Sequence, residues 1–329
     1  MDTQRMLEKC RRDQWSIDDL DWSLSPRALS REHEIAICQY FTDMAGIELL
    51  AGALFAVQRD NTEDPVLREI FASFVVDEQR HSEVALRLAR HYDVHRYKRY
   101  ARNPHLVRFA KHFVQAARHL DPDIANAYIT TGELLLDIAL LRSLDDFVDD
   151  EMSHRAMRLI NRDESRHIAI DYFMTEYYAS KDYEAWLAAR PKKSLPERAR
   201  ATWELAGFMG QSRPFFRDVF FAPMDLTDPT GKRLLDAFKH IQLLGKRTEE
   251  AARPFGKFIF GLVKAFNDPI AGPILEPIIV RLTGLDPRVI RWVHTQEEEA
   301  RARRMRIDEL AEEALGAKGE GTIEGAIEA

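Results

Sequence analysis

Asp77-Glu78-Gln79-Arg80-His81 and Asp163-Glu164-Ser165-Arg166-His167 are near-copies of one another. Each holds a Glu-x-x-His step inside a run of helical period. Residues three apart on a helix lie one above the other, so each step aims a carboxylate and an imidazole the same way. One such pair is half of a metal site, and two suffice for a pair of metals if two more carboxylates face them. The chain offers those in Met44-Ala45-Gly46-Ile47-Glu48-Leu49-Leu50 and Thr130-Thr131-Gly132-Glu133-Leu134-Leu135-Leu136. Glu48 and Glu133 are lone acids in apolar helical runs. An unpaired carboxylate is costly in a core, so each calls for a compensating charge.

Glu48 precedes Glu78 by 30 residues, and Glu133 precedes Glu164 by 31. A helix stop and restart, Asp60-Asn61-Thr62-Glu63-Asp64-Pro65, falls near the middle of the first interval. A weaker polar break, Asp145-Asp146-Phe147-Val148-Asp149-Asp150, falls near the middle of the second. In each antiparallel hairpin the ligand positions then stand about 14 residues, roughly 21 Å, from the turn. Equal heights place every ligand in one layer when the hairpins pack together. The expected fold is all-α: a four-helix bundle over residues 32–180, an N-terminal extension over 1–31, and further C-terminal helices over 181–315 packed on the core. Residues 316–329, rich in Gly, Glu and small side chains, read as a disordered tail.

On Glu48, Glu78, His81, Glu133, Glu164 and His167, residues 32–180 resemble the ferritin-like di-iron carboxylate superfamily. The resemblance implies that Glu48, Glu78 and His81 hold one iron and Glu133, Glu164 and His167 the other, with Glu78 and Glu164 as bridges. Four carboxylates and two imidazoles suit iron or manganese, so manganese is an alternative at either position. The resemblance also implies activation of dioxygen, an external electron donor and, as in many relatives, a homodimer. Asp77 and Asp163 precede the motif glutamates and are candidates to hold the far nitrogens of the ligating histidines. An ordinary helix-surface charge is the alternative for each. Asp137, one turn after Glu133, is a candidate to line the cavity or relay a proton, or equally to pair helices in the core. Arg80 and Arg166 read as partners for carboxylates. Glu151-x-x-His154 also fits the short step, but it points about 140° away from Glu164 around the helix and reads as a solvated or supporting pair.

The branch within the superfamily stays open. Storage ferritins are about half this length, and rubrerythrins carry a cysteine-rich iron domain that Cys10 and Cys38 cannot supply. Ribonucleotide reductase small subunits place a radical tyrosine where Ala85 stands, and arylamine N-oxygenases place an extra histidine at the position of Ile160. Acyl-carrier-protein desaturases share size and part of the motif wording, and act on a substrate held by an acidic carrier.

The remaining signals bear on partners. The sequence reads as having no apolar run of about 18 residues, so no membrane span is expected, and no signal peptide opens the chain, so the expectation is a cytoplasmic protein. The net charge of −7 is mild. From Val94 to Leu120 there is no acid, while Arg96, Lys98, Arg99, Arg102, Arg108, Lys111 and Arg118 stand among four histidines. This stretch reads either as a surface that guides an acidic carrier, a phosphate-bearing substrate or an anionic lipid surface, or as a linker whose charges pair with acids elsewhere. No nucleic-acid motif accompanies it. Arg213-Pro214-Phe215-Phe216, Phe220-Phe221-Ala222-Pro223 and the proline-broken apolar run from Phe255 to Leu282 cover the bundle, wall a pocket for an apolar substrate or lie against lipid. The functional expectation is an oxygen-dependent di-iron oxidase or oxygenase that hydroxylates, N-oxygenates or desaturates a small-molecule or acyl-type substrate. The alternative is a ferroxidase-like, iron-handling bundle.

Overall fold

The computed structural model describes residues 1–246, 261, 263–283 and 286–317. The protein is all-α, 79% helical, with no strand among the described residues. Helix α1 (Thr3–Arg12) and a 3-10 turn (Ile17–Asp19) lead into the long pair α2 (Arg31–Asn61) and α3 (Pro65–Tyr92). After α4 (Pro104–His119), α5 (Pro122–Leu134) continues through a π-helical segment (Leu135–Leu141) into α6 (Arg142–Val148). Next come α7 (Glu151–Ala179), α8 (Lys181–Ala189) and α9 (Leu195–Phe215), which runs through a second π segment (Phe216–Phe221) into α10 (Ala222–Thr227). The chain closes with α11 (Lys232–Leu244), α12 (Gly272–Thr283), α13 (Pro287–Ile290), α14 (Gln296–Ala302) and α15 (Ile307–Ala317). Gly316 and Ala317 thus end a helix, and residues 318–329 lie outside the described residues, as do 255–260 and 262 of the apolar run.

The two turns have local causes. Asp64 caps α3, accepting hydrogen bonds from the backbone N–H groups of Val66 and Leu67, and Pro65 occupies the first turn, where no N–H is needed. Between α6 and α7, Asp149 adopts the left-handed conformation at φ 47°, and Asp150 caps α7 by accepting from the Ser153 N–H. Each reversal returns the chain antiparallel to itself. Helix α3 packs along α2 and against α7, α7 packs along α5, and α2 touches α5, so these four close on one another. Helix α1 lies on α3, α15 on α7, and α9 along α4.

Two helices, Arg31–Asn61 and Pro122–Val148, are long and apolar enough to cross a membrane by length and composition, which the sequence reading did not anticipate. In this fold 83% and 72% of their apolar windows are buried. They are apolar on nearly every face because other helices surround them, and they carry Glu48 and Glu133 into the interior.

The basic stretch divides by residue type. Three of its histidines meet carboxylates: His95 with Glu34, His105 with Asp218 and His112 with Glu204. Its seven arginines and lysines are all exposed, and none has an acidic partner within 4.0 Å among the described residues. The reading of this stretch as a linker that pairs with distant acids holds for these three histidines and not for the seven arginines and lysines. Nearby Glu34, Asp218 and Glu204 are taken by these histidines, and Asp43 by the Asn103 N–H and Gln39.

Candidate metal centre

Glu48 reaches the interior from α2, Glu78 and His81 from α3, Glu133 from α5, and Glu164 and His167 from α7. All six are buried, and five of them are 0% exposed. They form two overlapping groups: Glu48, Glu78, His81 and Glu164, and Glu78, Glu133, Glu164 and His167. Within each group the potential ligand atoms lie within 4.8 Å of one another. Glu78 and Glu164 belong to both.

The imidazoles are oriented alike. His81 Nδ1 faces Glu164 Oε1 at 3.0 Å and Glu78 Oε2 at 3.7 Å. His167 Nδ1 faces Glu164 Oε2 at 2.9 Å and Glu78 Oε1 at 3.2 Å. The far nitrogens cross over: His81 Nε2 meets Asp163 Oδ2 at 3.1 Å, and His167 Nε2 lies 3.6 Å from Asp77 Oδ2. Each aspartate therefore serves the histidine of the other helix. The acceptor at His81 Nε2 keeps the proton there and leaves Nδ1 free to bind a cation, while Asp77 stands just outside hydrogen-bond distance of His167 Nε2. Phe74 and Phe55 pack on the His167 ring at centroid distances of 4.1 and 4.9 Å, which fixes its plane and keeps the site dry.

The aspartates are held by two arginines. Arg166, fully buried, reaches Asp163 at 2.7 Å and Asp77 at 3.2 Å. Arg80 reaches Asp77 at 3.1 Å and Asp163 at 3.3 Å. The N-terminal segment completes this layer, and sequence reasoning missed it. Trp15 Nε1 donates to Asp163 Oδ2 at 2.6 Å, its ring lies under the Arg80 guanidinium, and the Gln14 amide joins Asp77 and Arg80. The readable signal was slight: Met6, Leu7 and Cys10 give α1 one buried edge, but nothing local marks Trp15.

The structure also fixes the remaining candidates. Asp137 is fully buried in the first π segment and belongs to neither ligand group nor the cavity lining. His154 pairs with Asp145 and Asp149 at the surface, and Glu151 pairs with Arg155, so this step builds no metal site. Asp171, unassigned from the sequence although it stands one turn after His167, is fully buried, and burial raises its carboxyl to about 7. Gly52 matters by what it lacks: a Cβ there would sit 3.1 Å from the Glu78 Cβ, so glycine lets α2 approach α3 beside the site.

The donor set fits cations. Both oxygens of Glu48 are buried without a hydrogen-bond donor, an arrangement that is costly unless a positive charge arrives. Burial, reinforced by Glu78 and Glu164, raises the Glu48 carboxyl well above its ordinary range, and burial with Glu164 and Glu78 does the same to Glu133. Burial disfavours the charged form of His81, but its bonds to Asp163, Glu164 and Glu78 outweigh that and raise it well above the usual value. His167 is raised in the same way against burial by Glu164, Asp77 and Glu78. Burial opposes the charge of Glu164, yet the two imidazoles hold it well below the carboxylate range. Metal-free, the site neutralises itself with protons.

Two divalent cations balance four carboxylates and replace those protons. Loading is expected to release roughly four protons per metal pair in mildly acid solution. Calorimetry in buffers of different ionisation enthalpy measures this, and release of less than about one proton would contradict the site's charge state. The pH dependence follows. The histidine pKa values are raised on folding, so their stabilisation is complete below about 6.5 and is lost as pH rises through the folded values. Glu48 and Glu133 carry a cost to stability that grows as pH rises from about 4.3 to their folded values and stays at its full size above them. Above about pH 6.5, where the histidines begin to lose their stabilising protons, the metal-free fold therefore weakens as pH rises, while metal binding strengthens.

A cavity of about 370 Å³ abuts the centre. Its wall includes Glu133, the apolar residues Ile47, Leu50 and Leu54 of α2, and Leu134–Leu136 where the π segment begins. Phe109 and Phe113 of α4, Phe208 and Phe215 of α9, and Phe216 and Phe220 of the second π segment form the far side, with Phe109 and Phe215 stacked at 3.9 Å. Both π segments thus border the cavity, and the wide turn re-aims side chains there. Thr130, Asn126 and Thr175 supply a small polar patch.

No protein-family model matches the chain, and no curated protein matches it. The assignment of function rests on the site.

Proposed function

We propose that this protein is a non-haem di-iron oxidoreductase built on a ferritin-like four-helix core, which uses dioxygen to oxidise an apolar substrate. The observation that carries the reading is the double position of Glu133: a member of the second ligand group and part of the wall of the apolar cavity. Glu48, Glu78 and His81 would hold one iron, Glu133, Glu164 and His167 the other, with Glu78 and Glu164 shared. When bound, the iron pair supplies electrons to dioxygen at a single place. The chain's own residues do the rest. Asp163 holds a proton on Nε2 of His81 through a 3.1 Å hydrogen bond, which leaves Nδ1 available, and Asp77, 3.6 Å from Nε2 of His167, would do the same for His167 on closer approach. The phenylalanine wall orients the substrate and excludes water. An external electron donor supplies two electrons and two protons when one oxygen atom enters the substrate and the other leaves as water. Hydroxylation, N-oxygenation and desaturation all suit a dry apolar cavity beside the metals.

The test begins with protein loaded anaerobically with ferrous iron and counted for metal. Oxygen uptake is then followed with a chemical reductant and a panel of fatty acids, long-chain amines and isoprenoid alcohols. Two irons per chain, with a product that gains one oxygen atom or loses two hydrogens, is the expected result. Iron that accumulates beyond two per chain, with no organic product, would replace this reading with iron handling.

A further inference from the structure

Helix α9 is apolar on two opposite faces. Its inner face sends Phe208, Ser212 and Phe215 to the cavity. Its outer face, by helical period, presents Leu195, Trp203, Ala206, Met209 and Arg213, with Thr202 among them. Leu195 is 79% exposed, Trp203 71% and Met209 44%. A surface helix of a water-facing protein carries polar residues on that side. Helix α4, packed beside α9, is built in parallel: Phe109 and Phe113 face the cavity, and Val107, Arg108, Lys111 and Arg118 share the outward face. Helix α12 also packs on α9 and leaves Ile274 and Ile278 exposed, with Arg281 on the same face. The acids on these helices are occupied: Glu204 pairs with His112, Glu276 with Arg291, and Glu197 caps α9. The outward cations Arg108, Lys111, Arg118, Arg213 and Arg281 have no acidic partner within 4.0 Å among the described residues.

We propose that the outward faces of α4, α9 and α12 dock on an anionic lipid bilayer. Exposed apolar side chains sink to the headgroup boundary while arginine and lysine hold lipid phosphates, the pattern of a helix lying in an interface. A contiguous apolar patch without cations would equally fit a second copy of the chain, but unpaired positive charge on a protein of net charge −7 selects an anionic surface. The geometry adds a consequence, which rests on the reading of the preceding subsection: the same helices separate bilayer from cavity, so the cavity would draw its apolar ligand from the lipid phase. Met209 is both exposed and part of the cavity wall, which marks the point of entry.

The experiment is co-sedimentation of the purified, iron-loaded full chain with vesicles. One set is phosphatidylcholine alone, and the other is equal parts phosphatidylcholine and phosphatidylglycerol. Binding is expected to the anionic vesicles only, and to fall as salt is raised. Arg108→Glu with Lys111→Glu should weaken it by more than about tenfold, and Leu195→Glu with Trp203→Glu should do the same. Metal content and helical circular dichroism should stay unchanged in both variants, since none of these residues touches the centre. Parent protein that stays in the supernatant with anionic vesicles, or variants that bind as well as the parent, would overturn the proposal. So would a parent dimer that Trp203→Glu splits, because the face would then belong to a second copy. A failure here leaves the metal count and oxygen uptake intact, so it is distinguishable from a failure of the di-iron reading.

Discussion

Glu164→Ala is expected to reduce the metal content from two ions per chain to at most one, and to weaken the ion that remains by at least about a hundredfold. Glu164 is one of two residues in both ligand groups. Its two oxygens stand 3.0 Å from His81 Nδ1 and 2.9 Å from His167 Nδ1, one toward each imidazole. Its loss takes a ligand from both positions and removes the shared anion that lets two cations sit close together. Glu48 and Glu133 each belong to one group. Glu48→Ala and Glu133→Ala should therefore each release one ion and leave the other. Metal counting by plasma mass spectrometry after anaerobic loading reads this contrast directly. An unchanged count in Glu164→Ala, or the same loss in all three variants, would show that the groups do not share ligands as described.

Arg166→Ala should be the most destabilising change in the layer behind the two ligand groups, by about 3–5 kcal/mol. Arg166 is 0% exposed and bridges Asp163 and Asp77, which are themselves 0% exposed. Removing it leaves two buried carboxylates with Arg80 as their shared arginine, Arg162 at 3.9 Å from Asp163, and the weaker contacts of His81, Trp15 and Gln14. The cost is that of uncompensated charge, which exceeds what the intact pair contributes. Burial works against the charge of Asp163, but His81, Arg166 and Trp15 hold its pKa far below the ordinary range. The stability this contributes is present above about pH 3.9 and is lost as pH falls through the folded value, so the penalty of Arg166→Ala should shrink in acid. Arg166→Lys keeps the charge without the planar fork and should recover part of the loss. Urea denaturation across pH supplies the measurement. A penalty under about 1 kcal/mol near neutrality would mean that the aspartates do not depend on this arginine.

The six ligand positions were legible because their signal is local and repeated. Glu-x-x-His is a one-turn event, and matched intervals on either side of two turns put the ligands at one height however the helices pack in detail. The turns were legible for the same reason, since Asp64-Pro65 and Asp149-Asp150 act within a few residues. The apolar runs around Glu48 and Glu133 advertised burial, although their length was underestimated, because lone acids interrupt what are otherwise continuous apolar windows.

The sequence by itself thus determined an all-helical chain, the heights of four carboxylates and two imidazoles, and the mixed donor chemistry they offer a cation. Only the tertiary structure decided which aspartate serves which histidine, because that choice depends on how α3 and α7 face each other, and the partners cross between helices 82 residues apart in the case of His81 and Asp163. It alone brought Trp15 to Asp163, 148 residues away. It alone turned α4, α9 and two π segments into the wall of a cavity beside Glu133. Helical periodicity states which side chains share a face; what that face meets is set by contacts between distant segments, and no local pattern records them.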